Sequence, residues 1–315
     1  MTDEKNAVHI ALAFDQGYLT PLYVLLTSIF INNGTGQIII HAISTGLSNA
    51  EHQGITDFVT RRSGVIHFYT IQGADVSQFV LPEHEGNYLS AAIYYRLFFP
   101  FLIENVSRLL YIDVDTLVVG DLAEVCDLDM QGRPVAAVTD TDMPIRSDLG
   151  IFTAEEYFNS GILLIDIAKW KEQRVTERAL AIIQNEPGRI KRYPDQDALN
   201  MVLKDNWHWL PTKYNLMRLY VPNEVPKRQF ANFLKDQKII HYNGKKPWFS
   251  DCEHRLRHLY QQYARLSPQP EASRITNVQL SKEKRAKLRR SRVIEFYFDH
   301  PELVAVWRRL KALVA

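Results

Sequence analysis

The sequence predicts an α/β fold: a mostly parallel central sheet flanked by helices, followed by a helical, basic C-terminal tail. Three observations carry this. Short β-branched apolar runs alternate with helix-like segments from residue 8 to residue 71, the pattern of a parallel sheet with right-handed crossovers. An apolar run over residues 109–112 breaks at two carboxylates, Asp113 and Asp115, before apolar residues resume at Leu117. Between residues 282 and 311 there are ten Lys or Arg against four acids, a net of +6 in a chain whose formal total is only +1.

Residues 8–14 read as a buried first strand ending at Asp15. Strand ends are where such sheets collect ligands, so Asp15 is either a nucleotide contact or a solvated loop residue. A helix follows, with Thr20 as its N-cap and Pro21 in its first position, and stops at Asn32-Asn33-Gly34. Residues 37–44 form the second strand. Ser48 and Glu51 have the spacing of a capping box for the next helix, which runs to Arg62 and Gly64. Residues 65–71 make the third strand. No G-x-G-x-x-G follows the first strand and no P-loop motif occurs, which disfavours both of those nucleotide-binding classes.

Residues 89–103 read as a helix broken near Pro100, with most of its aromatics in the core. Arg96 among them either lies along apolar surface with its head in water or reaches a carboxylate or phosphate. The bounded run before Asp113 suits a buried strand. Residues two apart on a strand share a side, so Asp113 and Asp115 converge at its end. Burying both bare is costly. Mn²⁺ or Mg²⁺ relieves the repulsion and completes its shell with substrate phosphates. The competing reading is a solvated loop.

Residues 134–139 form another strand, ending at the site-rim acids Asp140 and Asp142. Residues 143–156 read as a loop with little core. Asn159-Ser160-Gly161 stands at the entry of a strand over 162–167, where glycine permits close approach of a ligand or another element. Residues 168–185 read as one helix. Asp195, just after Pro194, reads as the N-cap of the next, with Gln196 and Asp197 in its first turn. Residues 214–233 are irregular. Residues 238–242 form the last strand and lead into Asn243-Gly244-Lys245-Lys246-Pro247-Trp248. A glycine turn with lysines suits a pyrophosphate. His241 beside it is either a third metal ligand or a hydrogen-bonded strand-end histidine.

The totals narrow the class. The 315 residues are 46% hydrophobic and 23% charged, an ordinary globular composition, and the near-zero net charge gives no case for nucleic acid. Cys126 and Cys252 lack metal-type spacing and suggest a reducing compartment. The polar first residues do not read as a secretory leader. The apolar stretch 19–31 is too short for a membrane span. The expectation is a cytoplasmic protein with a main domain over 1–265 and a basic extension over 266–315. That extension, with Phe296, Tyr297 and Trp307, either sits on an anionic membrane face or packs on the domain as a solvated helical tail.

Taken in order, Ala13-Phe14-Asp15 with Tyr18, Tyr95-Arg96-Leu97, Leu110 to Asp115, Phe158-Asn159-Ser160-Gly161, Asp195-Gln196-Asp197 and His241 to Trp248 resemble glycosyltransferase family 8. These are retaining, metal-dependent sugar transferases that include bacterial lipopolysaccharide galactosyl- and glucosyltransferases. The resemblance spans roughly residues 8–250. It implies the nucleotide-diphospho-sugar fold called GT-A, a UDP-galactose or UDP-glucose donor, and a glycan or lipid-linked acceptor. It also implies Mn²⁺ or Mg²⁺ on Asp113, Asp115 and His241. Ala13, Asp15 and Tyr18 would meet the uridine, with Val114 beside the metal pair. Gly244 and Lys246 would bind the pyrophosphate. Arg96, Asn159, Asp195 and Gln196 would surround the donor sugar, and Asp140 would lie toward the acceptor. Asp195, Gln196, Asp197 and Asp140 are the catalytic candidates. Two departures stand out. The loop between Gly244 and Lys246 is a residue shorter than in many relatives, leaving Lys245 and Lys246 as rivals, and Gly17 stands where a polar side chain often sits. The alternatives are an inactive nucleotide-sugar-binding protein and a metal-dependent nucleotidyltransferase.

Overall fold

β4 (Arg108–Ile112), the segment that leads into Asp113, is the central strand of a seven-stranded sheet. The computed structural model describes residues 7–34, 36–71, 92–190 and 193–314. The other strands of this sheet are β1 (Val8–Asp15), β2 (Ile38–Thr45), β3 (Val65–Tyr69), β6 (Val135–Thr139), β7 (Phe158–Asp166) and β8 (His208–Trp209). Their order is β3-β2-β1-β4-β7-β6-β8. β1, β2, β3 and β4 run parallel, as do β6 and β8, whereas β7 is antiparallel to both β4 and β6. Thus β7 alone is reversed in a mostly parallel sheet. β5 (Thr116–Val118) and β9 (Ile239–His241) form a separate antiparallel pair, with Thr116 opposite His241.

Alternation along β1 explains the two layers around it. Ile10, Leu12 and Phe14 face one core, which also holds Leu22, Leu25 and Ile29 of the helix Leu19–Asn32 and Val59 of the helix Asn49–Thr60. Ala11 faces the other, with Leu109, Tyr111, Trp170 and Leu199. Each large side chain buried in this way contributes about 1.5–3 kcal/mol. The Ser48–Glu51 capping box is present: Glu51 N–H donates to Ser48 Oγ at 3.3 Å and Ser48 N–H donates to Glu51 Oε2 at 2.7 Å.

Several local expectations give way to tertiary partners. Thr20 is not a cap. Asp15 accepts from Gly17 N–H at 2.9 Å and starts a 3-10 turn, Gln16–Tyr18, that runs into the helix. Thr20 instead donates to Gln269. Asp195 is not a cap either: it lies inside the helix Pro194–Val202, and its carboxylate pairs with Arg96. The helix expected over 168–185 is two, Ile167–Glu172 and Val175–Asn185, broken where Arg174 takes φ 52°. The break lets Thr176 accept from Trp170 Nε1 and donate to Leu97 O. Of the helix expected over 89–103, residues 89–91 lie outside the described residues, and the rest forms the short helices Ala92–Tyr95 and Phe99–Leu102.

Residues 143–156 do have a core: Met143, Leu149, Ile151 and Tyr157 pack together. β7 also begins earlier than the apolar run suggests, taking Asn159, Ser160 and Gly161 into the sheet. The tail forms the helices Lys282–Asp299 and Pro301–Val314. The buried residues of the first are Glu295 and Asp299, while Val293, Ile294, Phe296 and Tyr297 are exposed. Among the described residues, no helix is long and apolar enough to cross a membrane.

Candidate active site

Because β7 is reversed, its first residues share an edge of the sheet with the last residues of β1, β4 and β6. A cleft of about 720 Å³ opens there. Asp113 N–H donates to Gly161 O at 2.8 Å, continuing the β4–β7 ladder. Asp115 C=O accepts from Tyr242 N–H at 3.0 Å, continuing the β5–β9 ladder. The two ladders bring ligand atoms of Asp113, Asp115 and His241 within 4.8 Å of one another. Gly161 is required by space. A Cβ there would come within 2.4 Å of His241 Cε1 and 2.7 Å of Asp113 Oδ2.

A chain of hydrogen bonds fixes the His241 ring. Gly161 N–H donates to Asn159 Oδ1 at 3.0 Å, which identifies the Asn159 oxygen. That oxygen also accepts from Asn215 Nδ2 at 2.9 Å, so Asn215 turns its own oxygen to His241 Nδ1, 2.9 Å away. An amide oxygen only accepts. Nδ1 therefore carries a proton, and Nε2 faces Asp115 Oδ1 at 3.4 Å.

Two buried cations balance the carboxylates. Arg96 donates to Asp113 Oδ1 at 3.0 Å and pairs with Asp195 Oδ2 at 3.0 Å, while its Nη1 donates to Ser160 O at 2.6 Å. Tyr111 OH also donates to Asp113 Oδ1, at 2.7 Å. Lys246 pairs with Asp115. Burial raises the Asp113 carboxyl above its ordinary range, and Arg96 offsets this only in part. Burial opposes the Asp115 carboxylate too, but Lys246 and His241 outweigh it and hold that group well below the usual range. The two lysines, both lining the cleft, differ in position: Lys246 is buried on Asp115, whereas Lys245 is exposed and pairs with Asp251 at 3.1 Å. Two carboxylates and an oriented imidazole, each carboxylate already drawing a cation, are a donor set that fits a hard divalent ion.

The cleft is lined by Ala13, Asp15, Tyr18, Val114, Asn159 and Gly244 as well as by Arg96, Asp140, Asp195, Gln196, Asp113, Asp115 and His241. Gln196 Oε1 accepts from Ser160 N–H at 2.9 Å and Asn159 Nδ2 at 3.2 Å. Asn159 Nδ2 also donates to Asp140 Oδ2 at 3.1 Å. Burial raises the Asp140 carboxyl. Asp197 is the exception among the expected site residues. It is fully buried outside the cleft lining, accepts from Tyr157 OH at 2.6 Å, and pairs with Arg146 at 3.1 Å. Its place one residue past Gln196 on a helix points it away from the residue that faces the cleft. Sequence reasoning missed Asn215, Arg218, Tyr193, Glu253 and His254. Asn215 and Arg218 fall in the irregular segment, where no periodicity says which side chains turn inward. Burial holds His254 at about 3, neutral at physiological pH.

An aspartate pair and a histidine converge at the strand ends of a mixed α/β sheet, with a buried lysine on one of the aspartates, an arrangement that can hold a divalent cation at the end of the cleft. Residues 9–252 match the family described as glycosyl transferase family 8, and the chain belongs to that family. It is 31% identical over 254 residues to the lipopolysaccharide 1,2-glucosyltransferase of Escherichia coli (strain K12), covering 78% of this chain and 73% of that protein. It is 29% identical over 274 residues to general stress protein A of Bacillus subtilis (strain 168), covering 82% of this chain and 94% of that protein. Among solved structures, an active-site mutant of LgtC superposes with a TM-score of 0.71 at 23% identity, covering 89% of this chain and all of that one. The galactosyltransferase LgtC in complex with donor and acceptor sugar analogs superposes with a TM-score of 0.66 at 22% identity and the same coverage. The fold is GT-A, as the motifs imply, and the chain is a glycosyltransferase by family.

Proposed function

We propose that the protein is a retaining hexosyltransferase that moves galactose or glucose from a UDP-sugar to a glycan acceptor of bacterial lipopolysaccharide or surface polysaccharide. Asp113, Asp115 and His241 would hold Mn²⁺ or Mg²⁺. The observation that carries this reading is the convergence of these three ligands with Lys246 at one end of a cleft whose other walls carry Arg96, Asn159, Asp195 and Gln196. Relatives that include a lipopolysaccharide 1,2-glucosyltransferase and the galactosyltransferase LgtC support the donor and acceptor classes.

A bound divalent cation supplies Lewis-acid neutralisation of the diphosphate leaving group. The chain's own residues do the rest. Ala13, Asp15 and Tyr18 frame the nucleoside end. The Tyr18 hydroxyl, pushed up to about 12 by burial, stays protonated and available as a donor. Asp115 outweighs the effect of burial on Lys246 and keeps it charged, a fixed cation where negative charge develops on UDP. Gly244 takes φ 81°, so the backbone turns sharply beside the phosphates without a Cβ. Arg96, Asn159, Asp195 and Gln196 would surround the hexose, with Asp140 on the acceptor side.

Retention needs either a nucleophile on the far face of the sugar or attack from the leaving-group face. Gln196 is a neutral amide held by Ser160 and Asn159, Asp195 is tied to Arg96, and Asp197 lies outside the cleft lining. These ties favour same-face attack, with an oxygen of the departing UDP taking the acceptor's proton. UDP release from UDP-galactose and UDP-glucose with Mn²⁺ tests the reading. If both donors bind but neither is cleaved or transferred, the protein is a nucleotide-sugar-binding protein and not an enzyme. The extension over 266–315 would hold the enzyme on the cytoplasmic face of an anionic membrane. Fractionation after deletion of residues 282–315 checks this, and unchanged membrane association would dismiss it.

A further inference from the structure

A second cavity, of about 400 Å³, lies where the first tail helix meets the body, away from the glycosyltransfer cleft. Its cations come from three separate elements: Lys227 and Arg228 from the 3-10 turn Lys227–Gln229, Arg257 from the helix Arg257–Leu266, and Arg292 from the helix Lys282–Asp299. Two carboxylates on the tail helix organise them. Glu295 accepts from Arg257 at 3.2 Å and Arg292 at 3.3 Å, and pairs with Lys227 at 3.2 Å. Asp299 accepts from Arg255 at 2.9 Å and pairs with Lys227 at 2.9 Å.

The cations outnumber the acids, and beyond the acids Arg257 and Arg292 reach backbone carbonyls, His254 O at 3.1 Å and Cys252 O at 2.7 Å. Counting Arg255 beneath the cavity and Glu302 at its edge, five cations face three carboxylates. Arg228 has only a 3.4 Å pairing with Glu302, and both side chains are more than half exposed. Burial lowers the Arg292 pKa, and repulsion from Arg257 lowers it further, against the opposing pull of Glu295. One wall is aromatic: Phe296 and His300 stand with ring centroids 4.5 Å apart and are both partly exposed. Guanidinium forks held in place by buried carboxylates are suited to bidentate contact with phosphate oxygens.

We propose that this cavity seats a phosphate-ester anion, bound by Arg228, Arg257 and Arg292 around Lys227, with Phe296 and His300 against the esterified group. The site does not depend on the transferase reading, and no residue of it lines the glycosyltransfer cleft. The anion has two sources, a free phosphate ester or the headgroup of a phospholipid.

The test compares the full-length chain with Arg228→Gln and with Arg228→Gln/Arg292→Gln. The probes are inorganic phosphate, phosphatidylglycerol vesicles and phosphatidylcholine vesicles. Both variants keep the cleft intact, so any phosphate bound there cancels in the comparison. The single variant is the safeguard, because Arg228 is exposed and its loss leaves the buried pairs in place. Each guanidinium removed should weaken binding about tenfold, the scale of one charge-assisted contact. Loss of inorganic phosphate binding supports a free-phosphate seat. Loss confined to phosphatidylglycerol vesicles supports a headgroup seat. Equal binding of both anionic probes by the wild type and both folded variants overturns the proposal.

Discussion

The glycosyltransfer cleft and the tail junction are built from the same materials and differ in what is left over. Each sets two carboxylates among arginine and lysine. In the cleft, Asp113 and Asp115 each take a cation, and Asp115 also faces His241 Nε2. At the junction, Glu295 and Asp299 spend their oxygens on Lys227, Arg255, Arg257 and Arg292. The cleft therefore retains acceptor capacity for a cation, and the junction retains donor capacity for an anion. Identical residue types give opposite binding preferences because the count of partners, not the type of side chain, decides which sign is unsatisfied.

The contrast breaks most sharply if removing a cleft acid costs no more than removing a junction acid. Asp113→Ala or Asp115→Ala should lower metal-dependent UDP release by about a thousandfold or more, since charge stabilisation at the leaving group is lost. Glu295→Ala should leave that rate within about threefold, because the junction shares no lining residue with the cleft and Arg257 touches it at the His254 backbone carbonyl rather than at a side chain. Comparable losses in steady-state assays would dissolve the distinction. Next in size is Gly161→Ala. The added methyl must displace His241 or Asp113, so turnover should fall about a hundredfold, the scale of a misplacement near 1 Å. Metal titration followed by calorimetry should show weakened binding as well, and wild-type affinity there would mean the ring has another place to go.

Smaller effects belong to the tail. Asp299→Ala leaves Arg255, itself buried, without its carboxylate, and should loosen the first tail helix by about 2–3 kcal/mol. Hydrogen exchange confined to residues 282–299 reads this, and unchanged protection there would remove the docking role. The pH response is smaller still. Burial opposes ionisation of Glu295 and Asp299, but Arg257 and Lys227 respectively dominate the other contributions and hold both below the usual carboxylate range. A lowered folded-state value means the contribution is complete above the unfolded value of 4.5 for Glu295 and fades as pH falls through the lowered one. Tail protection should therefore be intact at about pH 6 and reduced near pH 3, measured by exchange at the two values. Equal protection would show that the acids do not carry the docking.

Regular elements and short-range motifs were the legible part. The β-α-β-α-β run, the Ser48–Glu51 capping box and the apolar strand ending at Asp113 all follow from local pattern, and the structure keeps them. The meeting of Asp113, Asp115 and His241 was inferred from motif order, and two ladders deliver it. Asp195 and Thr20 misled because a cap is a local solution, and each found a stronger or more distant partner. Asp197 misled because adjacency in sequence on a helix does not mean a shared face. Asn215 was illegible: its place between Asn159 and His241 exists only after three separated segments meet. The docking of the tail through two acids was equally hidden, since its net charge of +6 and its exposed aromatics draw attention away from them.

The β5–β9 pairing has a consequence for assembly. Thr116 and His241 are opposed in a ladder only three residues long, between segments more than a hundred positions apart in the chain. A slip of one residue in so short a ladder would turn His241 to the opposite side and scatter the triad. Closing that distance is a late, entropically expensive event. Metal affinity should therefore appear only when this closure is complete, so that cation binding acts as a proofreading signal for this part of the fold.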